Sequence, residues 1–264
     1  MHNEFYDKYE IIKELSCSTH SKVYLVRHRI LDVYRVAKIF SGNQQDARRL
    51  MKEAHLIKNL KHPHIPVIYD IEQNIGEDND SICIIEEYID GKSLRQYVHD
   101  ETDTRGYLSV HEICRIGIEL CCILEYLHGY NGNGILHMDI KPDNIMLDKD
   151  GKVKLIDYDN AVEGNAGLTV ESGSPLYAAP EQYNREKAVI QSDIYSLGMV
   201  ILFMVSHGHI VTDENHKLSE ISSRYSSLYH VINKSLHHEW GLRYSSVIFK
   251  ARITKYNELG RRYG

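Results

Sequence analysis

The chain has no basic excess: 31 lysines and arginines stand against 37 aspartates and glutamates, a formal charge of −6. Nucleic-acid binding draws on clustered cations that neutralise phosphates, so no nucleic-acid partner is expected. Paired cysteine spacing is missing too. The five cysteines, Cys17, Cys83, Cys114, Cys121 and Cys122, are odd in number and scattered. That argues against a disulfide framework or a zinc pattern and predicts free thiols in a reducing, cytoplasmic setting. The longest apolar run, Ile194 to Val205, is too short to span a bilayer and reads as a buried helix. The opening Met1-His2-Asn3-Glu4 is not a basic-then-apolar leader, so no signal peptide is expected. Long linkers, low-complexity tracts and internal repeats are absent. The histidine pairs His62/His64, His207/His209 and His237/His238 lack the i, i+4 spacing of a zinc helix, which leaves structural or surface roles.

What is there centres on residues 137–159. An acid, Asp139, stands five residues before an amide, Asn144, and a second acid, Asp157, follows thirteen residues later. Between them Ile145-Met146-Leu147, a break at Asp148-Lys149-Asp150-Gly151, then Val153 and Leu155 predict a strand, a glycine turn and a strand. A hairpin brings its ends together, so Asn144 and Asp157 would lie side by side as oxygen ligands suited to Mg²⁺. Each of these residues alone could equally be a turn aspartate or an Asx cap. As an ordered set, His137-Met138-Asp139-Ile140-Lys141-Pro142-Asp143-Asn144 and Asp157-Tyr158-Asp159 resemble the H-R-D-x-x-x-x-N and D-F-G motifs of eukaryotic-type serine/threonine protein kinases. Met138 replaces an arginine of the pattern and Asp159 a glycine.

The resemblance runs from Tyr9 to about Ile253. Strands read at 9–15 and 22–26 flank Ser16-Cys17-Ser18-Thr19-His20-Ser21, in register with the phosphate-covering loop G-x-G-x-x-G-x-V and with Val23 at its valine. Serine replaces each glycine. Taken alone, the loop reads as a polar hairpin turn, and serines forced to positive φ would cost roughly 1–2 kcal/mol each. Val36-Ala37-Lys38 resembles the third strand, with Lys38 at the phosphate-pairing position. The helical period of 44–60 puts Glu53 on the flank of Leu50, Ile57 and Leu60, either as the partner of Lys38 or as a solvated rim residue. His62-Pro63-His64-Ile65 resembles the turn after that helix. Strands are expected at 66–72 and 81–86, with Asp78-Asn79-Asp80 turning between them. Glu87-Tyr88-Ile89 then resembles the hinge, with Glu86 at the gatekeeper position as a buried acid that needs a partner.

Farther on, Ser109-Val110-His111-Glu112 is a capping box opening a helix with Ile113, Ile116, Leu120, Ile123, Leu124 and Leu127 on one stripe. That helix should pack beneath the catalytic loop, with Cys121 and Cys122 as small fillers. The run from Asn160 to Glu181 resembles an activation segment ending in A-P-E. Ser174 stands where the family braces its catalytic lysine and aspartate. Asp193, on the helix of Gln191 to Gly198, caps the catalytic-loop backbone by resemblance, or its own helix by position.

The resemblance implies an α+β, bilobal protein-kinase-like fold: a small antiparallel sheet with one helix near 1–87 and a larger, mainly helical lobe near 88–264. It implies ATP with Mg²⁺, or Mn²⁺ as an alternative ion, and a protein substrate offering serine or threonine. Asp139 would act on the acceptor hydroxyl, and Lys141 on the transferring phosphoryl group. Lys38 and Glu53 would position the phosphates, and Asn144 and Asp157 would hold metal. Ser16, Ser18, Ser21, Val23, Ala37, Glu86, Glu87, Tyr88, Ile89 and Met146 would surround the nucleotide, while Glu181 would pair with Arg243. Two other readings compete: a pseudokinase scaffold, motivated by the serine loop and Asp159, and a small-molecule kinase. The oligomeric state is not legible.

Overall fold

A computed structural model describes residues 4–17, 21–40, 51, 54–75, 81–164, 173–184, 188–209 and 225–263. Ser18, Glu53, the 78–80 turn, Thr169 and Ser172 lie outside the described residues. The chain divides into two compact units, Met1–Asp90 and Gly91–Gly264.

The first unit opens with a short helix α1 (Glu4–Lys8) and strands β1 (Tyr9–Cys17), β2 (Ser21–His28) and β3 (Val33–Phe40). Strands β4 (Ile68–Ile75) and β5 (Ser81–Glu87) complete an antiparallel sheet of order β1-β2-β3-β5-β4. Residues 54–57 are helical. Strand alternation sorts the side chains into two layers. Phe5, Tyr9, Val26, Ala37, Ile75, Cys83 and Ile85 form one cluster, and Phe40, Ala54 and Ile84 form the other. In the first, burial pushes the Cys83 thiol well up, so it is an inert filler.

The second unit begins with β6 (Gly91–Ser93), α2 (Leu94–Arg105), α3 (Val110–His128) and β7 (Ile135–Leu136). A 3-10 turn (Pro142–Asn144) leads into β8 (Ile145–Asp148), β9 (Val153–Leu155) and β10 (Val162–Glu163). The chain then enters α4 (Pro180–Tyr183), α5 (Ile190–Val205), α6 (Ser226–Ser235) and α7 (Ser246–Tyr263). The expected capping box starts α3: Ser109 Oγ accepts from Glu112 N at 3.1 Å, and Glu112 Oε2 accepts from Ser109 N at 2.9 Å. A second box, Ser93 with Gln96, starts α2; the S-x-x-Q spacing carried that signal unread. The predicted stripe of α3 is fully buried, as is Cys121, while Cys122 is half-buried. Under the 148–153 turn, Arg115 donates to the Gly151 carbonyl at 2.6 Å and Glu119 accepts from Val153 N at 2.9 Å. Helix α5 is buried along nearly its whole length. No helix of the described residues is long and apolar enough to cross a membrane.

Candidate active site

In the second unit the catalytic loop closes on the Asp139 carboxylate. Oδ1 accepts from the Ser174 backbone N–H at 3.0 Å and from its hydroxyl at 2.8 Å. Oδ2 accepts from Lys141 Nζ at 2.8 Å and from Asn144 Nδ2 at 3.1 Å. Lys141 also donates to Ser174 Oγ at 2.8 Å. Burial pushes this carboxyl up, but Lys141 and Ser174 together outweigh burial and hold it below its ordinary value. Asp139 is therefore ionised and fixed in direction. Gly173 makes the approach of Ser174 possible. Its φ is +116°, and an added Cβ would come within 2.7 Å of Ala178 Cβ and 2.8 Å of Gln182 Nε2.

The hairpin aligns the second acid. β8 pairs with β9, and the Asn144 carbonyl accepts from Ile156 N at 2.8 Å, which sets Asp157 immediately beyond Asn144's partner. Buried His137 ties the same two segments. Its Nδ1 accepts from Asp139 N, and its Nε2 lies 3.3 Å from the Ile156 carbonyl, so the ring is neutral with its proton on Nε2. Burial, the dominant influence, holds its pKa below the usual value.

Left-handed backbone occurs at Met138 (φ 64°) and Asp157 (φ 65°), and at neither Ser16 nor Ser21. The cost that positive φ would impose on serine therefore does not arise at Ser16 or Ser21. Ser16 and Ser21 are strand residues, Ser16 on β1 paired with Val23 beside a register shift and Ser21 on β2 paired with Phe40 of β3. Strain is instead stored in the catalytic loop. Asp193 holds it there: its carboxylate, fully buried, accepts from Met138 N at 2.9 Å, His137 N at 3.0 Å and His128 Nε2 at 2.9 Å. Its side chain goes to this loop, while the N-cap of α5 is Val189. The sequence reading missed His128 and also Gln182, whose Nε2 donates to the Met138 carbonyl at 3.0 Å.

Met138 itself is buried with Leu136, Val162 and Ala188. Glu181 and Arg243 form a bidentate pair at 2.7 and 2.9 Å, with Ser192 donating to Glu181 at 2.7 Å. Arg243 also donates to the carbonyls of His237, His238 and Gln191. Burial raises the Glu181 carboxyl, but Arg243 and Ser192 bring it below the usual range.

The first unit holds the remaining residues singled out, except Met146, which is half-buried on β8 of the second. Lys38 is buried in β3, its Nζ 5.5 Å from the Phe40 ring centroid. Val23 pairs with Lys38 across the ladder and shares its face. Ala37 requires correction: alternation turns it into the cluster of Phe5, Tyr9 and Val26, and Val36 takes the face of Lys38. Glu86, expected buried, is half-buried; it pairs with Val36 and lies on the Lys38 face. Glu87 accepts from Val67 N at 3.3 Å. Tyr88 lies 6.2 Å from Tyr34, ring to ring, and Ile89 is buried.

Residues 9–248 match the family described as "Protein kinase domain". Similar curated proteins include a probable serine/threonine-protein kinase of Clostridium perfringens, 31% identical over 76% of this chain and 29% of its own length. Serine/threonine-protein kinase PrkC of Bacillus subtilis is 31% identical over 80% and 32%, and sperm motility kinase 2A of Mus musculus 31% over 76% and 38%. The chain thus spans about a third of the length of these relatives. With the family pattern matched over nearly all its length, the chain belongs to the protein kinase domain family.

Proposed function

We propose that this domain transfers the γ-phosphoryl group of ATP to a serine or threonine hydroxyl of a protein. The observation that carries the reading is the Asp139 carboxylate, fixed by Ser174, Lys141 and Asn144. Its lowered pKa makes it a weak base, so its main task is to orient the hydroxyl and receive the proton late. Lys141 carries the charge that offsets the transferring phosphoryl group. The Asn144 amide nitrogen is engaged by Asp139, which leaves its oxygen, with the half-buried Asp157 carboxylate, as hard donors fitting Mg²⁺ or Mn²⁺. Bound there, the ion would offset phosphate charge. Lys38 supplies a cation for the phosphates, with Glu53 as its proposed partner. The Glu181–Arg243 pair supports a rigid peptide platform and so a protein acceptor rather than a small molecule. Five free thiols support a cytoplasmic setting.

The test is calorimetric titration with ATP and Mg²⁺ beside transfer of labelled phosphate to a generic protein substrate. Asp139→Asn should lower kcat by about 10²–10⁴-fold, and Lys38→Ala should abolish transfer. Binding without transfer by the unaltered chain would overturn the reading in favour of a nucleotide-sensing scaffold.

A further inference from the structure

Beside the catalytic loop lies a charged pair that the network around Asp139 does not use. Arg95, from the first turn of α2, donates to Asp143 through Nε at 2.8 Å and through its second terminal nitrogen at 2.7 Å. Its guanidinium also lies 5.2 Å from the Phe203 ring centroid, and Tyr177 is among the groups it interacts with electrostatically. Asp143 is four residues beyond Asp139, and Tyr177 three beyond Ser174. The two segments that leave the Asp139–Ser174 contact therefore meet again at one arginine. Both partners remain open to solvent, with side-chain exposures of 37% and 47%. An exposed pair of this kind adds little stability, roughly 0–1 kcal/mol, so its position calls for a different account.

Asp143, a half-exposed carboxylate four residues beyond the acceptor-orienting acid, would attract a cationic residue of an acceptor segment. Here a bidentate, ring-stacked arginine of the same chain already fills the place. We propose that Arg95 occupies the cation-binding position at Asp143 from within, so that the domain selects against acceptor segments with basic residues beside the phosphorylated serine or threonine. The inference rests on the protein kinase reading. An incoming arginine must displace a tethered one, whose effective concentration is in the millimolar range or above. The charged groups facing Asp143 are Arg95 and Lys141, so a second cation would also meet like charge.

The test uses short serine-centred peptides that differ only in carrying arginine, glutamine or aspartate beside the serine. Binding is followed by fluorescence anisotropy and transfer by kcat/KM. The unaltered domain should bind the arginine peptide no more tightly than the glutamine peptide. Arg95→Ala should tighten the arginine peptide relative to glutamine by about tenfold or more, and Asp143→Asn in the same chain should remove that gain. Arg95→Gln keeps the side-chain stem over Phe203 and gives the same result should the alanine variant fold poorly. A preference for arginine in the unaltered domain, or an unchanged ratio in both Arg95 variants, overturns the proposal. Altered binding ratios without any phosphate transfer would instead sink the kinase reading and leave the docking site standing.

Discussion

The two units are ordered by different chemistry. In Met1–Asp90 the layers of the five-stranded sheet are apolar, and position follows from strand alternation: Lys38 faces one way because Ala37 and Ile39 face the other. In Gly91–Gly264 the functional loops have little regular structure, and buried carboxylates hold them: Asp139, Glu181 and Asp193 each accept at least three hydrogen bonds. An apolar layer tolerates change of pH and objects to change of volume. A buried carboxylate does the opposite.

That contrast can be broken most forcefully at its largest contacts. Arg243→Ala leaves Glu181 buried and unpaired and should cost about 3–5 kcal/mol; Phe5→Ala in the first unit should cost a similar ~3–5 kcal/mol by opening a cavity. Denaturant melts over a range of pH distinguish them. The folded pKa of Glu181 is depressed, so its contribution is present above the unfolded glutamate pKa and is lost as pH falls through the folded value. The unaltered chain and Phe5→Ala should both weaken in acid, whereas Arg243→Ala should have a flatter acid limb. Parallel limbs in all three would refute the carboxylate account.

Asp193→Ala comes next. It strands the backbone N–H groups of His137 and Met138, at about 1–3 kcal/mol each, and releases the left-handed turn at Met138. Transfer should fall further than stability predicts, because Asp139 follows directly. Asp193→Asn, which keeps one acceptor oxygen, should recover part of both losses in paired melts and turnover assays.

Ala37 sharpens the comparison from the other side. Overpacking it with Ala37→Leu should destabilise by about 1–3 kcal/mol and leave ATP affinity of the folded protein unchanged, while Val36→Ala should change that affinity. An ATP titration with the opposite assignment would restore Ala37 to the nucleotide face.

How far the sequence discloses this arrangement differs between the units for the same reason. The stripe of α3, its capping box and the β8–β9 hairpin are local periodic signals, and they read correctly. Ala37 reads onto the nucleotide face only by matching Val36-Ala37-Lys38 to the family's V-A-I-K, which is one residue longer, against the period of two that strands obey. His128 and Gln182 were not legible: their partners, Asp193 and the Met138 carbonyl, lie 65 and 44 residues away. Only the folded chain shows such contacts. The bidentate pair of Arg95 and Asp143, 48 residues apart, escaped notice on the same ground.

The smallest expected effect is the most informative about control. In this family the position of Met138 belongs to an arginine, a cation suited to a phosphate on the activation segment. Here Met138 is 1% exposed and packs with Leu136, Val162 and Ala188, with Ile190 against them, so apolar contacts fill the place of a charge. A phosphate on Thr169 or Ser172 would find no cation at Met138, and burying an arginine there unpaired would be costly. Replacing Thr169 and Ser172 together by alanine should therefore leave kcat/KM within about twofold, measured on protein expressed with and without phosphatase. Met138→Arg should lower stability without making turnover depend on phosphorylation. If the double alanine variant folds normally and loses turnover, the loop is controlled by a phosphate after all, and the apolar cluster at Met138 is not what sets the active arrangement.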